Sequence, residues 1–161
     1  MLLNPSDVAF ARRQLKELEE AARRISKRLF TGYAGNDADL DAALGVLNRE
    51  QVGALLVSAR AYFDTRRQRI IALVAQYRIP AIFQFREYVV DGGRMSYGSS
   101  ATDAYRQVGT YAGRILKGAS PGDLPVVRAT KFEFVVNLKA AKELGLAIPP
   151  TMLCRADEVI E

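Results

Sequence analysis

A glycine pair and a Ser-Tyr-Gly turn stand directly before an amphipathic stretch, in the segment REYVVDGGRMSYGSSATDAYR that begins at Arg86. A glycine-rich turn that leads into a helix N-terminus is a common place to hold a phosphate. The spacing here matches neither the G-x-G-x-x-G motif nor the P-loop, which needs a Gly-Lys-Ser/Thr ending. Ser99, Ser100 and Thr102 are typical N-cap residues, and Asp103 in the first turn of the helix would repel a phosphate. The segment therefore disfavours a nucleotide site.

Side chains that could carry out catalysis are scarce. The chain has no histidine, which removes the usual imidazole base, the commonest metal ligand and the usual serine or cysteine triads. Its single cysteine, Cys154 beside Arg155, cannot form an internal disulfide and is more typical of packing than of catalysis. Glu87 and Asp91 have no metal cluster or serine elbow beside them. The sequence therefore predicts no enzyme, no metal site and no cofactor.

The net charge of +5 raises the question of nucleic-acid binding. Acids are interleaved with the basic residues of the first helix, and pairs such as Lys16 with Glu20 or Glu19 with Arg23 lie four residues apart. This pattern is typical of a solvated, salt-bridged face, and no DNA-reading motif accompanies it. We therefore expect no nucleic-acid partner, and weak binding through basic helices stays a minor alternative. The basic clusters are Arg12-Arg13, Arg23-Arg24, Lys27-Arg28 and Arg66-Arg67-Gln68-Arg69.

The elements that position these residues alternate between helices and short strands. Apolar spacing of three and four predicts helices over about 6–28 with Ser6 as N-cap, 40–47, 70–77, 105–116 and 139–144. Continuous apolar runs predict short buried strands at 54–57 and 79–83. Residues 132–137 are predicted as a strong strand, and residues 94–97 as a weaker one. Short buried strands that alternate with helices indicate βαβ units, and hence an α/β fold with an open, mainly parallel sheet flanked by helices.

Two stretches fit this scheme less well. Leu2-Leu3 is too short for a full strand, and residues 29–36 occupy the place of the next strand with little strand character. Gly118–Pro125 is the clearest loop and could connect two lobes.

The length of 161 residues fits one domain. The N-terminal MLLNPSDVAFARR lacks the features of a secretory signal, which predicts a cytoplasmic location for the chain as written.

Ligands of an open parallel sheet bind beyond the carboxyl ends of its strands. The residues in those positions form a rim of amides, two arginines and several aromatics, which suits a small organic ligand that carries a carboxylate. Simpler roles remain open, because arginines are often salt-bridged at the surface and Asn4-Pro5 fits a turn and helix cap. The predicted ligand-binding residues are Asn4, Ser58, Arg60, Phe85, Arg86 and Tyr97.

From Pro80 to Glu161 the chain contains an ordered set of motifs. They are IPAIFQFREY, GGRMSYG, DAYRQVGTY, RILKG, DLPV, TKFEFVVNLKAAKELGL and IPPTMLCRADEVIE, preceded by LLNP and GALLVSARAYF. In this order they resemble the C-terminal part of the ABC-transporter substrate-binding proteins, which have the type I periplasmic-binding fold. The resemblance covers nearly the whole chain and is most specific over the last eighty residues.

This resemblance implies that residues 1–161 form a single flavodoxin-like lobe, with the N-terminal lobe of the family absent. It implies a solute-binding component of an ABC importer that binds an amino acid or aromatic carboxylate, works with an ABC permease, and is periplasmic. Exposed apolar area left by a missing lobe favours self-association, such as a homodimer. The alternative is a structural or regulatory homo-oligomer that keeps the fold without transport, since Ala59 replaces a polar group common in the family.

Overall fold

The computed structural model describes all residues from Met1 to Glu161, in which strands and helices alternate. The strands are β1 (Leu2–Leu3), β2 (Gly32–Tyr33), β3 (Leu55–Leu56), β4 (Ala81–Phe83), β5 (Met95–Ser99), β6 (Phe132–Asn137) and β7 (Glu158–Ile160). The helices are α1 (Val8–Arg24), α2 (Asp37–Arg49), α3 (Ala61–Thr65), α4 (Arg67–Gln76), α5 (Arg86–Val90), α6 (Ala101–Leu116), α7 (Leu138–Glu143) and α8 (Pro150–Leu153), with a 3-10 turn at Pro121–Asp123. No helix is long and apolar enough to cross a bilayer.

The strands lie in the order β2-β1-β3-β4-β5-β6-β7. The pair β1–β2 joins the other five strands through a parallel bridge between Leu2 and Val57, where the Ser58 amide donates to the Leu2 carbonyl. All pairs are parallel except β5–β6, so β6 and β7 run opposite to the others. The prediction of an α/β fold with an open, mainly parallel sheet is therefore confirmed.

One face of the sheet carries the main hydrophobic core. Leu55, Val57, Ala81 and Phe83 alternate toward this face, and helices α2 and α4 cover them. The three-and-four spacing predicted the covering residues, because it places them on one side of each helix. These covering residues are Leu40, Leu44 and Leu47 of α2 with Ile70 and Val74 of α4.

The opposite face of the sheet is less covered. The strand register aligns Leu56 with Ile82, Ile82 with Met95, Met95 with Val136, and Val136 with Val159. This row of apolar side chains crosses five strands, yet only Val136 is buried.

Helix α6 differs from its sequence-based expectation in where its apolar side lies. The Ser100 side chain caps it by accepting a hydrogen bond from the Asp103 amide, as the sequence predicts for this turn. No residue of α6 is buried, and Leu116 is 88% exposed. The helix leaves the sheet at the end of β5 and the chain returns through β6, so its apolar pattern has no partner within the chain.

One local prediction was wrong in detail. Helix α1 is capped by Asp7, which accepts a hydrogen bond from the Phe10 amide, and not by Ser6. The Ser6 amide donates instead to Asn4 Oδ1 at 2.8 Å, which completes the turn after β1. Residues 29–36 contain the two-residue strand β2, in the place where the sequence puts the next strand. Glycine at position 32 lets α2 pack closely on it, since a Cβ atom there would lie 3.1 Å from Ala43 Cβ.

Candidate functional site

The predicted rim residues lie at one edge of the sheet. Asn4 follows β1, Ser58 follows β3, and Phe85 and Arg86 follow β4, whereas Tyr97 is the middle residue of β5. Because these four strands are neighbours and parallel, their carboxyl ends meet at the same edge. We call this edge the carboxyl edge.

Asn4 and Ser58 are buried and hold the local structure of this edge. Asn4 is engaged in the turn before α1, so its contact shows the alternative role of a turn residue, while the cap of α1 is Asp7. Ser58 Oγ lies 2.6 Å from Gln14 Oε1 and donates to it, which ties the end of β3 to α1. Both side chains are almost fully buried, so they shape the edge mainly from within.

Arg60 is held from two sides by the first turn of α1. Its Nη2 donates to Asp7 Oδ2 at 2.8 Å, and its guanidinium carbon lies 3.6 Å from the centroid of the Phe10 ring. Its Nε is buried without an acceptor, and Nη1 has no partner in the chain. The hydrogen bonds from the Phe10 amide and from Arg60 hold the pKa of Asp7 below its usual range. Arg60 is thus a positioned cation with unused donors.

Arg86 makes a complete ion pair instead. Its Nε and Nη2 each donate to a carboxylate oxygen of Glu158 at 2.6 Å. These hydrogen bonds hold the pKa of Glu158 below its usual value. The pair links the start of α5 to β7, and it occupies the forked edge of the guanidinium that a ligand carboxylate would need.

Tyr97 is the most exposed aromatic residue of the rim, with 60% of its surface accessible. Its ring stacks on Phe132 at a centroid distance of 6.0 Å and meets Phe134 edge-on at 6.5 Å. Phe85 is half-buried against the core. Gly98, which follows Tyr97 in β5, packs against the backbone at the end of β4. A Cβ atom at this glycine would lie 2.1 Å from the Gln84 carbonyl oxygen.

A polar cluster behind β4 was not predicted from the sequence. Asp64 of α3 accepts hydrogen bonds from Gln84 Nε2 at 2.9 Å and from the Tyr88 hydroxyl at 3.1 Å. Burial, with the charge of Asp64, raises the pKa of Tyr88 well above its ordinary value. The sequence signal for this cluster is weak, because α3 has only five residues and shows no helical period. Nor did the sequence reveal the roles of Asp7, Phe10 and Gln14.

The carboxyl edge therefore offers a fixed guanidinium, an exposed aromatic surface and internally paired acids. This combination can hold an anionic group beside a flat apolar one. No three or more acidic, cysteine or histidine side chains come close enough together to hold a metal ion.

The family of the chain follows from comparison with known proteins. A family model described as ABC transporter substrate binding protein matches residues 1–160. The chain therefore belongs to the ABC-transporter substrate-binding protein family, a family of extracytoplasmic solute-binding proteins. A search of curated proteins finds no match.

Solved structures of other proteins share the fold of this chain. A conserved domain protein from Vibrio cholerae is 26% identical, with a TM-score of 0.84, over 98% of this chain and 53% of its own. An ABC domain from Streptococcus pneumonia in complex with L-Trp is 24% identical, with a TM-score of 0.83, over 99% of this chain and 55% of its own. A ligand-free, open substrate-binding protein with adhesive properties from Clostridium difficile is 19% identical, with a TM-score of 0.68, over 99% and 52%. The chain thus spans about half the length of these proteins.

Proposed function

We propose that this chain is one lobe of an ABC-importer substrate-binding protein, and that it binds a small organic solute at the carboxyl edge. The observation that carries the proposal is Arg60, which Asp7 and Phe10 hold in place while part of its guanidinium stays without a partner. A rigid cation with unused donors is what recognition of a carboxylate requires.

The proposed solute is an amino acid or an aromatic carboxylate. Arg60 binds its carboxylate, and the exposed ring of Tyr97 packs against its apolar part. Asn4, Ser58 and Phe85 shape the edge, whereas Arg86 contributes through its pair with Glu158. The L-Trp bound to the similar Streptococcus protein supports this solute class. We infer no catalytic step, because the family is one of solute-binding proteins.

The proposal includes a second lobe that faces the carboxyl edge. Helix α6 exposes Tyr105, Val108 and Leu116 beyond this edge, and matching structures are about twice as long as the chain. We therefore assign residues 1–161 to a single lobe whose α6 packs on the partner lobe. Closure of the two lobes encloses the solute. The closed protein then delivers the solute to an ABC permease, on the side of the membrane that faces away from the cytoplasm.

The test is calorimetric titration with L-Trp, L-Tyr and indole-3-propionate, with glucose as a neutral control solute. The chain is measured alone and after fusion to the N-terminal half of the Vibrio relative, which supplies the second lobe. Saturable binding of a carboxylate solute by either protein supports the proposal. Absence of binding by both, in folded samples, contradicts it.

A structural or regulatory homo-oligomer is the second candidate, and the bare apolar side of α6 favours it. Two copies that pair through this helix would bury the side chains that the chain leaves exposed. Light scattering decides between the two candidates. A dimer that dissociates when Val108 and Leu116 are changed to serine supports the oligomer, and a monomer at all concentrations contradicts it.

A further inference from the structure

Helix α1 carries positive charge that the rest of the chain does not neutralise. Between Asp7 and Arg28 there are seven basic and four acidic side chains. Only one basic residue of this stretch forms an ion pair, Arg13 with Glu17 at 3.0 Å. The pairs expected from the sequence, such as Lys16 with Glu20, do not form within 4.0 Å. The salt-bridged face predicted for this helix is therefore largely unpaired.

The other basic cluster of the chain behaves differently. Arg66 binds Asp37 at 2.7 Å and Arg67 binds Asp91 at 2.6 Å. Arg69 likewise binds Asp41. Each arginine of this cluster has its own carboxylate. Residues 8–28, by contrast, contain seven basic and three acidic side chains, so this stretch carries a net charge of +4 out of +5 for the whole chain.

Three of the unpaired cations of α1 lie along one side of the helix. Arg12, Lys16 and Arg23 are spaced by four and seven residues, which places them along this side. Glu19 shares this side, three residues after Lys16 and four before Arg23, so the side keeps an excess of positive charge. Lys27 follows just after the helix ends. We call Arg12, Lys16, Arg23 and Lys27 the α1 basic face.

An apolar notch adjoins this face. Its volume is about 160 Å³, and Arg12 stands at its rim. Val8 is 56% exposed and Tyr33 is 48% exposed, so both reach solvent beside the cation. The other lining residues are Pro5, Ala11 and Leu15.

We propose that the α1 basic face and the Val8–Tyr33 notch dock this protein on a membrane surface that carries anionic lipid headgroups. Basic side chains are drawn to such headgroups, and an exposed valine and tyrosine beside them suit the boundary between headgroups and acyl chains. A nucleic acid would use the cations and leave the notch empty. A protein that serves a membrane transporter works next to this kind of surface.

The test is flotation of the chain with phosphatidylglycerol-containing phosphatidylcholine vesicles, compared with pure phosphatidylcholine vesicles. The first variant changes Arg12, Lys16 and Arg23 to glutamine. Its matched control changes Arg66, Arg67 and Arg69 to glutamine, which removes the same net charge from residues that already have carboxylate partners. Circular dichroism checks that both variants fold.

We expect the first variant to partition onto anionic vesicles roughly 100-fold more weakly than the native chain, because it lacks the attraction of three surface cations to the headgroups. The control should keep most of its binding, and binding of the native chain should weaken as the ionic strength rises. Equal losses in both variants would show that only net charge matters and would overturn the proposal. So would native chain that fails to float with anionic vesicles at low salt.

A second variant separates lipid from other polyanions. Val8→Ser with Tyr33→Ser removes the apolar notch and keeps every charge. It should lower flotation with anionic vesicles and leave affinity for a short DNA duplex unchanged. If this variant floats like the native chain, the notch has no part in binding and the lipid-specific docking is refuted.

Discussion

Arg60 and Arg86 stand at the ends of neighbouring parallel strands, and their guanidinium groups make different bonds. Arg60 donates one hydrogen bond to Asp7 and stacks on Phe10, whereas Arg86 donates two hydrogen bonds to Glu158. The sequence places both arginines at the carboxyl edge but cannot rank them. The deciding partners lie 53 and 72 residues away along the chain, which no local pattern reveals.

This difference gives a paired prediction for solute recognition. We expect the native protein to bind L-Trp about 10-fold or more tightly than L-tryptophanamide, because the amide lacks the charged carboxylate that hydrogen-bonds to Arg60. Arg60→Gln should abolish this preference. Arg86→Gln should leave this preference unchanged, since its fork is already occupied. Calorimetric titration of both variants with both solutes measures the effect. A preference that survives in Arg60→Gln would contradict the role of Arg60.

The contact of Gly98 with β4 gives a prediction for stability. Gly98→Ala should destabilise the fold by about 2 kcal/mol or more, because the new Cβ atom would lie 2.1 Å from a backbone oxygen that cannot easily move. Gly109→Ala is the matched control: nothing lies within 4 Å of its Cβ position on α6. This control should gain up to about 1 kcal/mol from helix propensity. Urea unfolding monitored by circular dichroism gives both values, and similar midpoints would disprove the close approach.

Among the elements, length decides which ones the sequence could predict. The long helices and the strand at residues 132–137 have enough turns or alternating positions to show a period, and the structure confirms them. Helices α3, α5 and α8 and strand β7 have three to five residues each, so their apolar positions form no pattern. Tertiary contacts fix them instead, as Arg86 and Glu158 do for β7.

The link between α5 and β7 gives a pH prediction. Glu158 has a lowered pKa in the folded state, so its pair with Arg86 stabilises the protein above pH about 4.5, the usual value, and this contribution is lost as the pH falls through the lowered pKa. Because both side chains are partly exposed, the contribution should be about 1 kcal/mol or less. Thermal unfolding of native chain and Glu158→Gln should converge at acidic pH. A constant difference across this range would count against the pair.

For the molecule as a whole, the sequence could not predict that helices cover one face of the sheet more fully than the other. Apolar spacing shows that α6 has an apolar side, but it does not show whether a partner lies within the same chain. The structure shows α2 and α4 packed on one face, a partly bare row on the other, and α6 without any buried residue. These surfaces are where a second lobe or a second copy has room to pack.

The connection from β5 to β6 has a further consequence for how this architecture tolerates change. Ser99 lies opposite Phe132 in the antiparallel ladder, and the Ser100 amide donates to the Lys131 carbonyl at 2.9 Å. The polypeptide that carries α6 thus departs and re-enters at the same point, like an insertion at the tip of a β-hairpin.

Replacing residues 101–130 by an Asn-Gly turn should leave a shorter protein that still unfolds cooperatively, with a melting temperature within a few degrees of the native one, because no core residue is removed. Differential scanning calorimetry measures this, and a collapse of the transition would show that the sheet depends on the excursion. An architecture of this kind can exchange the surface it offers to other molecules without rebuilding its sheet.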